Sequence, residues 1–313
     1  MKASVSKISV VIPLYNKEAH ILRTLQSILE QTLAPTEVIL VDDGSTDNSV
    51  TVAMEAYGDK IKLVQQPNQG VSAARNNGIR AATEEVVAFI DADDTWDPHF
   101  IEEIDTLMIH FPEAICYATN YQLVYSAGEY TDPKVRWDIP PTEPGLLKNF
   151  FELGSKGELP FQMSSFCVRK SAFDYFGYFP EGEPMGEDQD LFIRAAITGD
   201  IAYSPRILSF YHKGAENRAC IRNVPNKECP FSQRLYKWAT MYEKKGQRQE
   251  AMIDFTAAHL LHLASENVSN NKFEEAESLL SDKRCKRHLK RYLWWKVRLL
   301  LKKTLSPFQQ VPA

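Results

Sequence analysis

The sequence predicts an α/β protein, a mostly parallel sheet with helices on both faces, joined to a C-terminal helical extension. Three observations carry this. Strand-like and helix-like segments alternate from residue 8 to Asp91, the βαβ rhythm of a parallel sheet with right-handed crossovers. Val87-Ala88-Phe89-Ile90 is apolar without a break, as in a strand covered on both faces. Beyond about Gly214 the strand signals stop and helical periodicity takes over.

The elements follow in order. Ile8-Ser9-Val10-Val11-Ile12 is a β-branched run closed by Pro13, and Tyr15 to Glu18 is the loop after it. Ile21, Leu22, Leu25, Ile28 and Leu29 recur at amphipathic helical spacing. Residues 38–41 form a second strand, followed by Asp42-Asp43-Gly44-Ser45-Thr46-Asp47. Gly44 permits a tight turn there, and Ser45, Thr46 or Asp47 can cap the next helix. Residues 61–64 are a short strand, 67–70 a turn and 71–82 a helix, which leads into the strand at Val87.

After Asp94 the pattern loosens. Residues 98–110 read as a helix, 117–125 as an alternating strand, 132–145 as a Pro-rich mobile loop and 162–169 as another strand. Five acids (Glu181, Glu183, Glu187, Asp188 and Asp190) precede a helix over 191–196, whose N-terminus favours negative charge. Residues 207–211 are a last strand, followed by His212. Residues 231–245, 247–266 and 272–280 are helical, and a final helix puts Leu289, Leu293, Val297, Leu300 and Leu301 on one stripe.

Asp91, Asp93 and Asp94 stand just past the carboxyl end of the apolar strand, where open α/β sheets bind ligands. Three carboxylates so close repel one another unless something positive sits among them. A divalent cation with oxygen ligands answers this, and it commonly brings substrate phosphates. Neither G-x-G-x-x-G nor G-x-x-x-x-G-K-[ST] occurs, so a nucleotide phosphate here depends on a metal and side chains. The expectation is a metal-dependent enzyme acting on a phosphorylated donor.

Bulk properties narrow the partners. The 313 residues are 44% hydrophobic and 25% charged, as in a soluble globular protein, and the net charge is -5. From Lys283 to Lys303 there are ten Lys and Arg and no acid, so the remainder carries -15. An acidic body argues against nucleic acid as partner. Five scattered cysteines without a C-x-x-C pair fit free thiols in a reducing compartment. The apolar run near the N-terminus ends at Pro13, too soon for a signal peptide or a membrane span.

Four loops resemble those of the family 2 glycosyltransferases, which are inverting enzymes of the GT-A fold, Rossmann-like in its sheet. They are Val10 through Glu18, Val41 through Asp47, Asn68 through Asn76, and Asp91-Ala92-Asp93-Asp94; Gly186-Glu187-Asp188 resembles the family's later acidic motif. The resemblance implies a GT-A catalytic domain over 1–214, with a nucleotide-binding half at 1–94 and an acceptor half at 95–214. A helical region with a basic amphipathic tail then fills 215–313. By the same resemblance Pro13, Tyr15 and Glu18 would line the base and ribose, Asp43 would bind the base, most often uracil, and Arg75 would lie near the nucleotide-sugar. Asp91 and Asp93 form the D-x-D element: Asp93 would be the metal ligand, for Mn²⁺ or Mg²⁺, with Asp91 facing the nucleotide and Asp94 the sugar. Asp188 matches the catalytic base. His212 stands where some members place a residue touching metal or diphosphate.

The implied activity is transfer of a sugar from a nucleotide-sugar, most often a UDP-sugar, to a hydroxyl of a glycan or lipid-linked acceptor in cell-surface polysaccharide biosynthesis. A nucleotidyltransferase that makes the sugar nucleotide is an alternative, but Pro13 to Glu18 lacks the glycine-rich phosphate loop that class wants. A non-catalytic sugar-nucleotide or glycan-binding module is another. For the tail two readings stand: a helix packed on the catalytic domain, or a helix lying on anionic lipid at the cytoplasmic membrane face. Tyr292, Trp294 and Trp295 among Arg and Lys suit the second.

Overall fold

A computed structural model of the chain describes residues 6–126, 128–214, 224–241 and 246–305. These fall into two compact units. The first comprises 6–148, 159–182 and 187–214; the second comprises 149–158, 183–186, 224–241 and 246–305.

The first unit begins with β1 (Ile8–Leu14), α1 (Ile21–Leu29), β2 (Glu37–Asp42), α2 (Ser49–Tyr57), β3 (Lys62–Gln65), α3 (Val71–Ala81) and β4 (Val86–Phe89). It continues with β5 (Thr95–Trp96), α4 (Phe100–His110), β6 (Cys116–Ser126), β7 (Glu129–Thr131) and β8 (Gly145–Leu146). The second unit contributes α5 (Phe150–Lys156), after which the first resumes with β9 (Phe166–Arg169), α6 (Phe173–Phe176), α7 (Glu187–Thr198) and β10 (Ile201–His212).

The ten strands among the described residues form one sheet in the order β3-β2-β1-β4-β9-β6-β10-β5, with β7 on β6 and β8 on β10. β3, β2, β1 and β4 run parallel, as do β6 and β10. β9 is antiparallel to both its neighbours and splices the two parallel groups together. The apolar runs explain the arrangement: β1 and β4 are buried at every residue, because both sheet faces are covered. On one face Ile21, Leu25 and Ile28 of α1 and Ile101, Ile104 and Leu107 of α4 join Val10, Ile12, Leu40 and Ala88 in one core. On the other, α3 approaches β1 so closely that a Cβ at Gly78 would lie 2.2 Å from Val11 Cγ1.

Several elements differ in extent from the sequence expectation. Met163–Ser165 is a 3-10 turn rather than strand, capped by Gln162, whose side chain accepts from Ser164 N while the Ser165 hydroxyl accepts from Gln162 N. α7 starts at Glu187, so Glu187, Asp188 and Asp190 occupy its first turn, while Glu181 and Glu183 precede it. β10 begins six residues before Ile207, with register irregularities between Ser204 and Ser209. The short helices α5 and α6 were not anticipated.

In the second unit α8 (Pro230–Met241), α9 (Gln247–Ser269), α10 (Phe273–Ser281) and α11 (Leu289–Leu305) follow α5. α9 is the centre: α5, α8, α10 and α11 all pack against it, and Phe150 stacks on Phe255 with ring centroids 5.8 Å apart. Arg284 anchors the segment before α11, donating to both Glu228 oxygens and to Asp282. The expected helical residues 242–245 lie outside the described residues. Cys116, Cys167, Cys229 and Cys285 are buried free thiols. Among the described residues no helix is long and apolar enough to cross a membrane.

Candidate functional site

At the carboxyl ends of the parallel strands, loops far apart in sequence are laced together by side chains. Pro13 is buried in β1 opposite Val41, while Tyr15, just beyond it, is exposed. Asn16 takes φ +51°, a left-handed conformation that asparagine tolerates better than most residues. Its carboxamide oxygen accepts from Thr46 N at 2.8 Å. Glu18 accepts from Asn48 N at 3.0 Å, and Asp47 accepts from Glu18 N and from Ser49 N at the start of α2. The loops after β1 and β2 thus form one wall, with Tyr15 on the solvent side.

Asp43 is buried beneath this wall. Its carboxylate accepts from Gln69 N, Gly70 N and Gln66 Nε2 at 2.7–2.9 Å. It therefore fixes the turn that enters α3, where Gly70 has φ +90°.

Arg75 of α3 is the hub. Its guanidinium donates to Asp91 Oδ1 at 2.8 Å and to Glu187 Oε1 at 2.9 Å, and it lies over the Phe179 ring at 5.3 Å. Burial opposes its charge, but Asp91 and Glu187 outweigh burial and hold it firmly protonated. Its Nε is buried and has no hydrogen-bond partner among the described residues. One side chain thus joins the acids after β4 to the first turn of α7.

The three acids have different surroundings. Asp91 donates its backbone N–H to Ser164 Oγ and pairs with Arg75. Asp93 pairs with Lys17 Nζ at 2.5 Å, and its carbonyl accepts from Arg23. Asp94 is fully buried, accepting from Ser164 Oγ at 2.6 Å and from His212 N at 3.0 Å. Burial, then the charges of Asp93 and Asp91, push the Asp94 carboxyl well above the usual carboxylate range. His212 Nε2 lies 3.0 Å from Thr95 Oγ1. Burial, followed by Arg23 and His20, lowers its imidazole to about 4, so the ring is neutral at pH 7.

Asp188 sits in the first turn of α7, accepting from Gln189 N at 2.7 Å. Burial first, and then Glu187, raise its carboxyl to about 7 against the opposing pull of Arg75. A carboxyl group poised near neutrality has the profile of a general base.

The structure thus gathers Arg75, Asp91 and Asp188 into one electrostatic cluster, with Asp93 and Asp94 following Asp91 in the chain and His212 donating to Asp94. Tyr15, Glu18 and Asp43 belong to the adjoining loops. The acidic oxygens suit a hard cation such as Mn²⁺ or Mg²⁺ by donor type. Among the described residues no three His, Cys, Asp or Glu converge on one point, and Lys17 supplies the positive charge at Asp93. Lys17 and Ser164 were missed in the sequence. Ser164 has no local signal: Asp91 and Asp94 lie 73 and 70 residues away.

The family described as Glycosyl transferase family 2 matches residues 9–176, more than half of the chain. An uncharacterised glycosyltransferase of a Nostoc species is 50% identical over 101 residues, 31% of each chain. One of Rickettsia conorii is 35% identical over 205 residues, covering 65% of this chain and 32% of its own. The matched regions span about a third of these relatives' length. The crystal structure of S. aureus TarS 1-349 in complex with UDP-GlcNAc has a similar fold, with a TM-score of 0.68 at 19% identity, covering 87% of this chain and 79% of that one.

Proposed function

The chain belongs to glycosyl transferase family 2, and from that premise we propose that it is an inverting enzyme using a UDP-sugar. The acceptor is a hydroxyl of a glycan or lipid-linked glycan in cell-surface polysaccharide biosynthesis, and the enzyme works in the cytoplasm at the inner membrane face. One observation carries the reading: Arg75 ties Asp91 to Glu187, so the acids after β4 share a site with the turn that holds Asp188. The fold-similar TarS was crystallised with UDP-GlcNAc and with UDP, which supports UDP-sugars as the donor class.

In this reading Pro13, Tyr15, Glu18 and Asp43 shape the pocket for base and ribose. Arg75, Asp91 and Asp94 orient the sugar-diphosphate. Asp188 takes the proton from the acceptor hydroxyl as its oxygen attacks the anomeric carbon. The nucleoside diphosphate leaves from the opposite face, which inverts that carbon without a covalent intermediate. Asp93, once released by Lys17, and His212 would hold Mn²⁺ or Mg²⁺, which would offset charge developing on the departing diphosphate.

The test is a donor screen with several UDP-, GDP- and TDP-sugars, with and without Mn²⁺ or Mg²⁺, following donor hydrolysis. Release of UDP from one UDP-sugar, lost on Asp188→Asn while donor binding persists, is the expected result. Binding without turnover under every condition would favour a non-catalytic module.

A further inference from the structure

The final helix α11 turns its apolar stripe outward. Leu289, Leu293, Trp294, Val297, Leu300 and Leu301 are each between 51% and 64% exposed. At about 100° per residue they fall within an arc of roughly 140°. The helix is seated instead through its other side, where Leu299 is buried and Tyr292 and Trp295 are partly covered. Lys302 donates to the carbonyl of Val268 at the end of α9, and Lys303 pairs with Glu277 of α10. Among the described residues the apolar stripe therefore stays more than half exposed while the opposite side seats the helix.

The margins of the stripe are basic. Arg291 and Arg298 border it on one side and Lys296 and Lys303 on the other, with Lys290 within it. Arg298 lies over the rings of Trp294 and Trp295 at 5.9 and 5.6 Å. Residues 283–303 contain ten Lys and Arg and no acid. An exposed apolar band with cationic edges and an interfacial tryptophan is the build of a helix lying in the headgroup region of an anionic bilayer. The alternative, an unpartnered apolar patch of this length facing water, is uncommon on soluble proteins.

We propose that α11 is a membrane-docking surface, with Leu289, Leu293, Trp294, Val297, Leu300 and Leu301 entering the bilayer interface and the flanking Arg and Lys meeting anionic headgroups. Neither half of the face suffices in isolation. Charges that act at long range bring the protein to the surface and are screened by salt. The apolar stripe then holds it there. This surface is independent of the sugar-transfer reading, and vesicle binding tests it without turnover.

The experiment is co-sedimentation of the full chain with vesicles of pure phosphatidylcholine and of phosphatidylcholine containing about a third phosphatidylglycerol. Binding is expected only with phosphatidylglycerol, and it should fall as salt rises. The combined variant Leu293→Gln, Val297→Gln, Leu300→Gln should lower partitioning at least about tenfold. The pair Lys290→Gln, Arg298→Gln should weaken it several-fold and flatten the salt dependence. All five positions are exposed, and thermal melts matching the wild type confirm that the variants fold. Failure to bind phosphatidylglycerol vesicles overturns the proposal, as does binding that the apolar variant leaves intact. So does a wild-type dimer in sedimentation velocity that this variant converts to monomer, because a second copy would then cover the face.

Discussion

Lys17 and Asp93 face one another with Nζ and Oδ2 2.5 Å apart, their side chains only 14% and 10% exposed. The pair bridges 76 residues of sequence, from the loop after β1 to the acids after β4. It supplies part of the positive charge that three adjacent carboxylates require. An ammonium and a divalent cation compete for such a carboxylate.

Lys17→Met is therefore expected to unfold at a lower urea concentration without metal, by about 1–3 kcal/mol, because it strands a largely buried carboxylate. Mn²⁺ should restore more stability to this variant than it adds to the wild type, since no ammonium has to be displaced. Urea titrations with and without Mn²⁺ read both effects. Equal gains in the two proteins would separate Lys17 from cation binding.

Asp188 should show opposite signs in activity and stability. Its carboxyl is raised from 3.8 to about 7, chiefly by burial and then by Glu187. A folded-state value above the unfolded one means that its contribution to stability is complete below pH 3.8 and is lost as pH rises through about 7. Asp188→Asn should therefore gain roughly 1–2 kcal/mol over the wild type at pH 8 and nothing at pH 3. Its turnover should fall by about 10²–10⁴, as for loss of a general base. Wild-type kcat/KM should climb with pH and level off above about 7. Sugar transfer and urea unfolding across pH check the pair of effects; unchanged turnover would dismiss Asp188 as the base.

Legibility in the sequence followed the range of the interactions. Ile21, Leu25 and Ile28 declare α1 because a helix face repeats within a few residues, and all three are buried. The apolar β1 and β4 announce a covered sheet in the same way. β9 is only four residues long, and its antiparallel seat between β4 and β6 depends on strands it meets only after folding. In the site, the acids Asp91, Asp93 and Asp94 stand out by composition. What distinguishes them does not: Lys17, Arg75, Ser164 and the His212 backbone come from four other segments. Asp43 is an instructive case, since its partners Gln69 and Gly70 lie 26 and 27 residues on. The stripe on α11 was likewise visible by periodicity, but periodicity does not say which way a stripe faces.

Arg75→Met should be among the more damaging single changes in the first unit. It leaves Asp91 and Glu187 without their shared cation in a protein-lined site, at a cost of about 3 kcal/mol. Arg75→Lys should recover only part of this, because an ammonium lacks the planar fork that reaches two carboxylates at once. Denaturant midpoints for the two variants give the order. A lysine variant as stable as wild type would show that charge alone, rather than the bridging geometry, holds the acids and α7 together.

Gly78 tests the seating of α3 on the sheet. In an exposed helix, replacing glycine by alanine stabilises by about 1 kcal/mol through backbone entropy. Here the new methyl would meet Val11 Cγ1 at 2.2 Å and Cγ2 at 3.1 Å, and Val11 is fully buried. Overpacking of this kind costs about 1–3 kcal/mol, which outweighs the propensity gain. Gly78→Ala should therefore destabilise the protein. Val11→Ala alone should also destabilise it, by removing buried methyl groups. Combined, the two changes should lose less than the sum of the singles, because the alanine methyl fills the space that the valine vacates. Strict additivity in urea unfolding would mean that α3 moves off β1 rather than clashing with it. Asp91 and Glu187 would then lose their fixed distance to Arg75, and donor binding should weaken in parallel with stability.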